Sequence, residues 1–475
     1  MKNHTDMLIF HTAICAGASQ IATDGRRELD VLVANPSILS GMEDNVNSFT
    51  EKIKKIPTEY YIILLTILGC IVVVYSFTGL WPWKVNPYNS YSLQAQAWLD
   101  GHLDLGRDYP WLELAIYDGK YFVSFPPFPS FVLLPFAILF KNATPDHFIA
   151  LAVTCIGAVY AAKIHKKVCK NLRNVIFFVL FLFLASGFVF IGINGYVWFI
   201  AQNMCFTLSL MSIYYALEAK GGLSFSLWAC AVGCRPMTIL WLPILIMLVY
   251  RSVYRASADG SYKLDFAKKI SESQNSSCIK KMLELIKNRW YWCVGPVIIA
   301  SVYMILNYKR FGNVFEFGHN YLPEFTSSDS GQFSISYLWE NLNKLLHFPD
   351  MNPENGAIAF PNAEGFAFYI AAPIFLVIIG VWLYALLGKR KHSTAFLILV
   401  PIITVCHVVF ICLHKTLGGW GFGNRYLLDI LPWLYLFLLA WKPKKQIFVK
   451  WITPLAVFGC ALNLIGTVAV YNYWI

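Results

Sequence analysis

The chain has 475 residues, of which 57% are hydrophobic and 14% charged, with a mean hydropathy of +0.53. That balance excludes a water-soluble fold of this size and places the chain in lipid as an all-α integral membrane protein. The net charge of +11 lies in short Lys and Arg clusters between apolar runs, where it sets membrane orientation, so nucleic acid is excluded as a partner.

Residues 1–57 have mixed polarity and no run near the roughly 20 apolar residues that a spanning helix needs. They read as an N-terminal cytoplasmic segment of unknown role, with Lys52, Lys54 and Lys55 marking the inner side of the first crossing. From residue 58 to 475 the chain reads as one polytopic domain. Apolar runs occur at 60–80, 148–162, 175–193, 197–217, 223–234, 237–250, 290–306, 366–387, 395–413, 427–440 and 451–471, which predicts about eleven crossings. The run 128–140 is short and holds Pro129 and Pro135, so it reads as an interfacial or re-entrant helix.

With that run left out, the basic clusters at 52–55, 163–173, 251–289, 389–391 and 442–450 all fall on one side. The positive-inside rule makes that side cytoplasmic and the membrane the plasma membrane. The loops 81–147, 308–365 and 414–425 are then extracytoplasmic. The first carries six Asp or Glu against four Lys or Arg, the second seven against three. In the cytoplasmic loop 251–289, Ile279, Met282, Leu283 and Ile286 form an amphipathic stripe suited to an anionic leaflet. Most of the twelve Cys lie inside apolar runs and show no metal-ligand spacing, so a disulfide framework is not expected.

The first outer loop is the chain's most unusual stretch, with Asp100, Asp104, Asp108, Glu113 and Asp118 set among aromatic residues. Leu93, Ala97 and Trp98 share a helical face, with Asn89 as a cap and Gly101 as a stop, which predicts a short helix over 90–100. LELAIY and KYFVSF flank Asp118-Gly119 and predict a hairpin with a two-residue turn. Asp118 is explained by that turn. Glu113 is either a solvated strand residue or a carboxylate whose aromatic surroundings raise its pKa and suit it to take a proton.

In the third outer loop, His414, Lys415 and Arg425 bracket a Gly-rich run. Arg425 offers the planar fork that suits a phosphate, Lys415 either that role or a native headgroup. Asp429 follows one turn later, positioned to pair with Arg425. Arg235 precedes Pro236 between two apolar half-runs, which places it near the outer surface or in a polar cavity. In the second loop, Glu316, His319 and Glu324 lie among aromatic residues that either stack on sugar rings or pack on the first loop.

The stretch LELAIYDGKYFVSFPPFPS, the segment NYKRFGNVFEFG and the motif GFGNRYLLDILPW, in that order, resemble the GT-C superfamily of polytopic glycosyltransferases. The resemblance covers about residues 60–471 and is narrowest to prokaryotic members related to protein mannosyltransferases and lipid A aminoarabinose transferases. It implies a sugar carried on a polyprenyl phosphate and passed, on the extracytoplasmic face, to a hydroxyl or amine of an envelope acceptor. Carried over by position, Glu113 corresponds to the first-loop carboxylate, with Asp100, Asp104 and Asp118 as the next candidates for base. Arg425 corresponds to the Arg that meets the lipid phosphate, with Lys415, His414 and Arg235 as further cations. Tyr121, Glu316 and His319 fall on the sugar or acceptor side. Many relatives have an acid soon after the first crossing, where this chain has Asn86 and Asn89. The acids show no ligand spacing, which leaves a divalent metal open and no cofactor predicted. A flippase of lipid-linked sugars and an oligosaccharide ligase or polymerase are the rival readings.

Overall fold

The computed structural model describes residues 57–169, 174–259, 284–285, 287–351, 356, 358–360, 365–388 and 394–475. The expected role of residues 1–56, the stripe Ile279, Met282, Leu283 and Ile286, and the cluster 389–391 lie outside the described residues. The chain divides into two compact units, residues 1–61 and 62–475; the second holds the helical bundle and its connecting loops.

In chain order the helices are α1 (Thr58–Thr78), α2 (Ser90–Leu99), α3 (Phe128–Phe140), α4 (Asp146–Val168), α5 (Val175–Leu184), α6 (Phe188–Gly192), α7 (Val197–Leu217), α8 (Gly221–Val232), α9 (Leu242–Asp259), α10 (Val294–Phe311), α11 (Pro323–Thr326), α12 (Leu338–Leu346), α13 (Phe368–Ala371), α14 (Ile374–Leu387), α15 (Thr394–Leu413), α16 (Leu431–Trp441) and α17 (Gln446–Tyr471). The strands β1 (Leu114–Tyr117) and β2 (Lys120–Val123) pair antiparallel, Leu114 opposite Val123 and Tyr117 opposite Lys120.

Among the described residues, seven helical stretches are long and apolar enough to cross a membrane: Thr58–Thr78, Asp146–Val168, Val197–Leu217, Pro236–Val253, Trp290–Phe311, Ala395–Leu413 and Gln446–Tyr471. The chain is a multi-pass membrane protein. The other four runs behind the expectation of eleven are also helical but shorter or broken. The run 175–193 splits at Ala185–Gly187, 366–387 splits at Ala372–Pro373, α8 has 12 residues, and 427–440 begins as the 3-10 helix Arg425–Ile430. Proline or glycine beside each break interrupts the hydrogen-bond ladder.

Helix α7 is the most deeply buried of the seven stretches and Trp290–Phe311 the least, so the first lies in the bundle centre and the second on its rim. Polar side chains explain part of that centrality, because within hydrocarbon they must find partners inside the protein. Asn203 Nδ2 donates to Ala150 O at 2.8 Å and to Thr154 Oγ1 at 3.0 Å on α4.

The segment between α1 and α4 folds onto this bundle. Helix α2 packs on α3, with Ser130 Oγ donating to Gln94 Oε1 at 2.8 Å and Trp98 against Phe131 at 4.8 Å. It buries Tyr91, Ser92, Gln94 and Ala95, while Leu93, Ala97 and Trp98 are half-buried. Asn89 makes no side-chain cap bond; Gly101 ends the helix region with φ of 81°. The turn Asp118-Gly119 has φ of 50° and 68°, the left-handed pair that matches a two-residue hairpin to strand twist. One face of the hairpin buries Leu114 and Val123 with Tyr91, Val197 and Ile200. The other buries Ala115 and Phe122 against Phe311, at the end of α10, with Tyr321 alongside.

Candidate active site

Glu113 immediately precedes β1, and its backbone carbonyl accepts from Ser124 Oγ at 3.3 Å. Its carboxylate accepts the Trp198 indole N–H at 2.9 Å. Water reaches the side chain, yet protein atoms crowd the carboxylate, as in a concave hollow, and this burial raises its pKa. Trp198 opposes the rise, Glu324 adds to it, and Arg425 opposes it.

Trp198 has Phe199 as its chain neighbour, and the Arg425 guanidinium lies 5.3 Å from the Phe199 ring and 5.1 Å from the Tyr426 ring. Two consecutive aromatic residues of α7 therefore serve the carboxylate and the guanidinium in turn. Arg425 is 7% exposed, and its Nε and Nη1 have no hydrogen-bond partner among the described residues. Burial pulls its pKa down, and the nearby Arg235 charge works the same way, while Glu113 and Asp429 act against it. A buried cation with unpaired N–H groups is costly unless an anion meets it.

The Gly-rich run explains how that side chain is packed. A Cβ on Gly418 would lie 3.4 Å from Arg425 Cγ, and one on Gly421 would lie 3.7 Å from Cδ. Gly418 also has φ of 131°. The backbone at Gly418 and Gly421 thus lies close to the arginine stem.

Asp429 pairs with Arg235, not with Arg425: Arg235 Nε lies 2.9 Å from Asp429 Oδ2. The turn Arg425–Ile430 is a 3-10 helix, whose tighter winding takes residues four apart off a shared face. Gln202 Nε2 donates to Arg425 O at 2.6 Å and Asp429 Oδ1 at 2.7 Å, tying this turn to α7. Arg235 also stands 4.4 Å from the Tyr426 ring, so the two arginines flank one tyrosine.

Lys415 Nζ donates to Glu324 O at 2.6 Å, and burial raises the pKa of Glu324 while Lys415 lowers it. His414 has Nδ1 2.8 Å from Thr416 O and Nε2 3.1 Å from Gln332 Nε2, so both ring nitrogens serve the loop itself. His319 sits between Phe325 at 5.1 Å and His414 at 5.9 Å. Burial holds His319 down at about 3 and His414 at about 4. Glu316 accepts from Gly318 N and Asn320 Nδ2, both at 2.6 Å, which shapes the turn before His319. Tyr121 is half-buried on β2.

Glu113, Arg425, Arg235, Lys415, His414 and His319 are thus linked through shared neighbours. Asp118 sits at the hairpin turn, Asp104 accepts from Gly106 N at 3.1 Å, and Asp100 ends α2; no contact joins these three to the cluster among the described residues. Trp198 and Gln202 belong to it although neither stood out in the sequence. A signal existed in Gln202 and Asn203, adjacent amides inside an apolar run, since polar residues within a crossing mark interior contacts. Asn86 donates to buried Asp146 Oδ2 at 2.8 Å and to Gly195 O at 2.7 Å.

No family model and no curated protein matches the chain. Solved structures similar to it include two of an oligosaccharyltransferase. One is the oligosaccharyltransferase of Archaeoglobus fulgidus in the apo form, with a TM-score of 0.38 and 13% identity, covering 86% of this chain and 56% of that one. The other is oligosaccharyltransferase AglB from Archaeoglobus fulgidus in complex with an inhibitory peptide and a dolichol-phosphate, with a TM-score of 0.40 and 10% identity, covering 85% and 56%. The chain spans little more than half the length of either. This likeness is one of chain course and says nothing of chemistry.

Proposed function

We propose that the chain is a GT-C-like glycosyltransferase that moves a sugar from a polyprenyl-phosphate donor to a hydroxyl or amine of an envelope acceptor, on the extracytoplasmic face of the plasma membrane. The observation that carries this reading is the Arg425 guanidinium, buried with Nε and Nη1 unpaired and within electrostatic reach of the Glu113 carboxylate. An anion-binding cation beside a proton acceptor is what displacement of a phosphate leaving group requires.

In this reaction Glu113 takes the acceptor proton as the acceptor attacks the anomeric carbon. The bond from that carbon to the phosphate oxygen breaks, and the lipid phosphate leaves with the electron pair. Its charge is met by Arg425, supported by Arg235 and Lys415. A single displacement inverts the anomeric centre. The raised pKa of Glu113 makes it a stronger base once ionised. Asp429 keeps Arg235 oriented, Trp198 holds Glu113, and His414 staples the loop that carries Lys415.

The test is transfer from a panel of radiolabelled polyprenyl-phosphate sugars to cell-envelope acceptors by purified protein, alongside Glu113→Gln and Arg425→Ala. Loss of transfer in both variants, each still folded, is the expected result. Transfer that survives Glu113→Gln removes Glu113 as the base. Passage of the lipid-linked sugar across the bilayer with every covalent bond intact overturns the enzyme reading in favour of a flippase.

A further inference from the structure

The segment before and within α12 is tied to the end of α15. Ser334 N donates to Leu413 O at 2.9 Å, Lys415 N donates to Gln332 O at 2.9 Å, and Phe333 forms a bridge with His414. Asn341 Nδ2 donates to Cys412 O at 3.0 Å and His414 O at 2.8 Å. These bonds hold α12 at the level where a membrane-spanning helix ends. The outward side of α15 below them is apolar, with Val405, Val409 and Phe410 exposed.

Around α12 the residues sort into three flanks. Asn341 and Leu345 are buried against the protein. Glu340, Asn343 and Lys344 make a polar flank, Lys344 Nζ lying 2.8 Å from Glu340 Oε1. Between these, Trp339 is 75% exposed and Leu346 46%, continued by Ile335 at 73% and Phe348 at 61% beyond the two ends. An apolar flank beside a polar one is the pattern of a helix lying in a membrane surface.

We propose that the Trp339–Leu346 flank is seated in lipid, at the headgroup and upper acyl level of the leaflet where α15 ends. Lipid is favoured over a protein partner because the helix that carries the flank is bonded to the end of α15, whose own Val405, Val409 and Phe410 are exposed, and because Trp prefers that interface. The proposal rests on α15 crossing the membrane and not on the transfer reaction. Through Asn341 and the Phe333–His414 bridge, this seating sets the depth of Lys415 in the membrane surface.

Full-length protein in nanodiscs of phosphatidylethanolamine and phosphatidylglycerol is prepared with a benzophenone amino acid replacing, one at a time, Trp339, Leu346, Glu340 or Val405. Each variant is checked for folding by size exclusion, irradiated and analysed by mass spectrometry. Phospholipid adducts at 339, 346 and 405, at least tenfold above those at 340, are expected. Adducts at 405 without adducts at 339 and 346 overturn the proposal, as does crosslinking of 339 to a second polypeptide or equal labelling at 340. Absence of lipid adducts at 405 overturns the crossing of α15 and the proposal with it, leaving the proposed chemistry of Glu113 and Arg425 to its own test.

Discussion

Trp198 donates its indole N–H to the Glu113 carboxylate at 2.9 Å across 85 residues of chain. That bond joins the buried centre of the bundle to the first outer loop, and it favours the ionised form of a carboxylate that its surroundings push toward the neutral one. Trp198→Phe keeps the ring and removes the donor, so the Glu113 pKa rises further. A base works only when ionised, so the acid limb of the pH profile of kcat/KM moves to higher pH, and transfer recovers as pH is raised. Glu113→Gln loses transfer by about 10²- to 10⁴-fold on the plateau above that limb, and the difference narrows below it. An acid limb that stays in place in Trp198→Phe counts against Glu113 as the base.

Arg425→Lys keeps a charge but replaces a planar fork by a point donor. A Lys ammonium offers no planar pair of donors, so it cannot meet two phosphate oxygens at once as the guanidinium does. Transfer falls by about 10²- to 10³-fold, close to the loss in Arg425→Ala. Steady-state rates against donor concentration give this, and activity near wild type in Arg425→Lys removes bidentate phosphate contact.

Asp429 is 2% exposed and bonded to Arg235. Asp429→Asn leaves that guanidinium without its counter-charge and lowers stability by about 3 kcal/mol. The pair Asp429→Leu with Arg235→Met regains most of the stability without restoring transfer. Thermal unfolding in detergent, read with the transfer assay, separates the two effects; equal stability of Asp429→Asn and wild type refutes the pairing.

Asn86→Asp brings a carboxylate against Asp146 in place of the amide that donates to it at 2.8 Å. One donor is lost and two acids meet in a buried setting, so stability falls by about 1–3 kcal/mol. Unfolding measured against pH gives the sign: the loss shrinks as the acids take up a proton. A variant as stable as wild type at neutral pH means that the Asn86–Asp146 bond contributes nothing to stability.

His414 and His319 are held at about 4 and about 3, first by burial. Below about 6.5 the unfolded chain binds these protons and the folded chain does not. Stability therefore falls as pH drops from about 6.5 toward the folded values, and above about 6.5 these groups contribute no slope. His414→Gln flattens the dependence of the unfolding temperature on pH in that window. An unchanged slope shows that the His414 ring titrates normally in the folded chain.

Much was legible in residue order because it depends on local chemistry. Apolar runs are helical wherever they were expected, since a backbone in hydrocarbon must satisfy its own polar groups. The Asp118-Gly119 turn followed from two residues that tolerate positive φ, and the short helix at 128–140 from its length and prolines. The number of long crossings was less legible. A run such as 175–193 is apolar throughout, and only packing around Ala185–Gly187 decides that it is two short helices.

The cluster itself was half visible. Arg425 and Arg235 border apolar runs, where charge is costly, and Glu113 stands among aromatic residues, settings that are readable from sequence. Their partners are not, because pairing depends on which side chains meet after folding. Asp429 stands four residues from Arg425 and bonds Arg235, 194 residues away, once the turn tightens to a 3-10 helix. Composition and hydropathy decided that this is a helical membrane protein, since transfer to lipid adds up residue by residue. Tertiary structure alone decided that Trp198 holds Glu113 and that Arg425 keeps two N–H groups unpaired among the described residues, since hydrogen bonds depend on geometry between segments far apart in the chain.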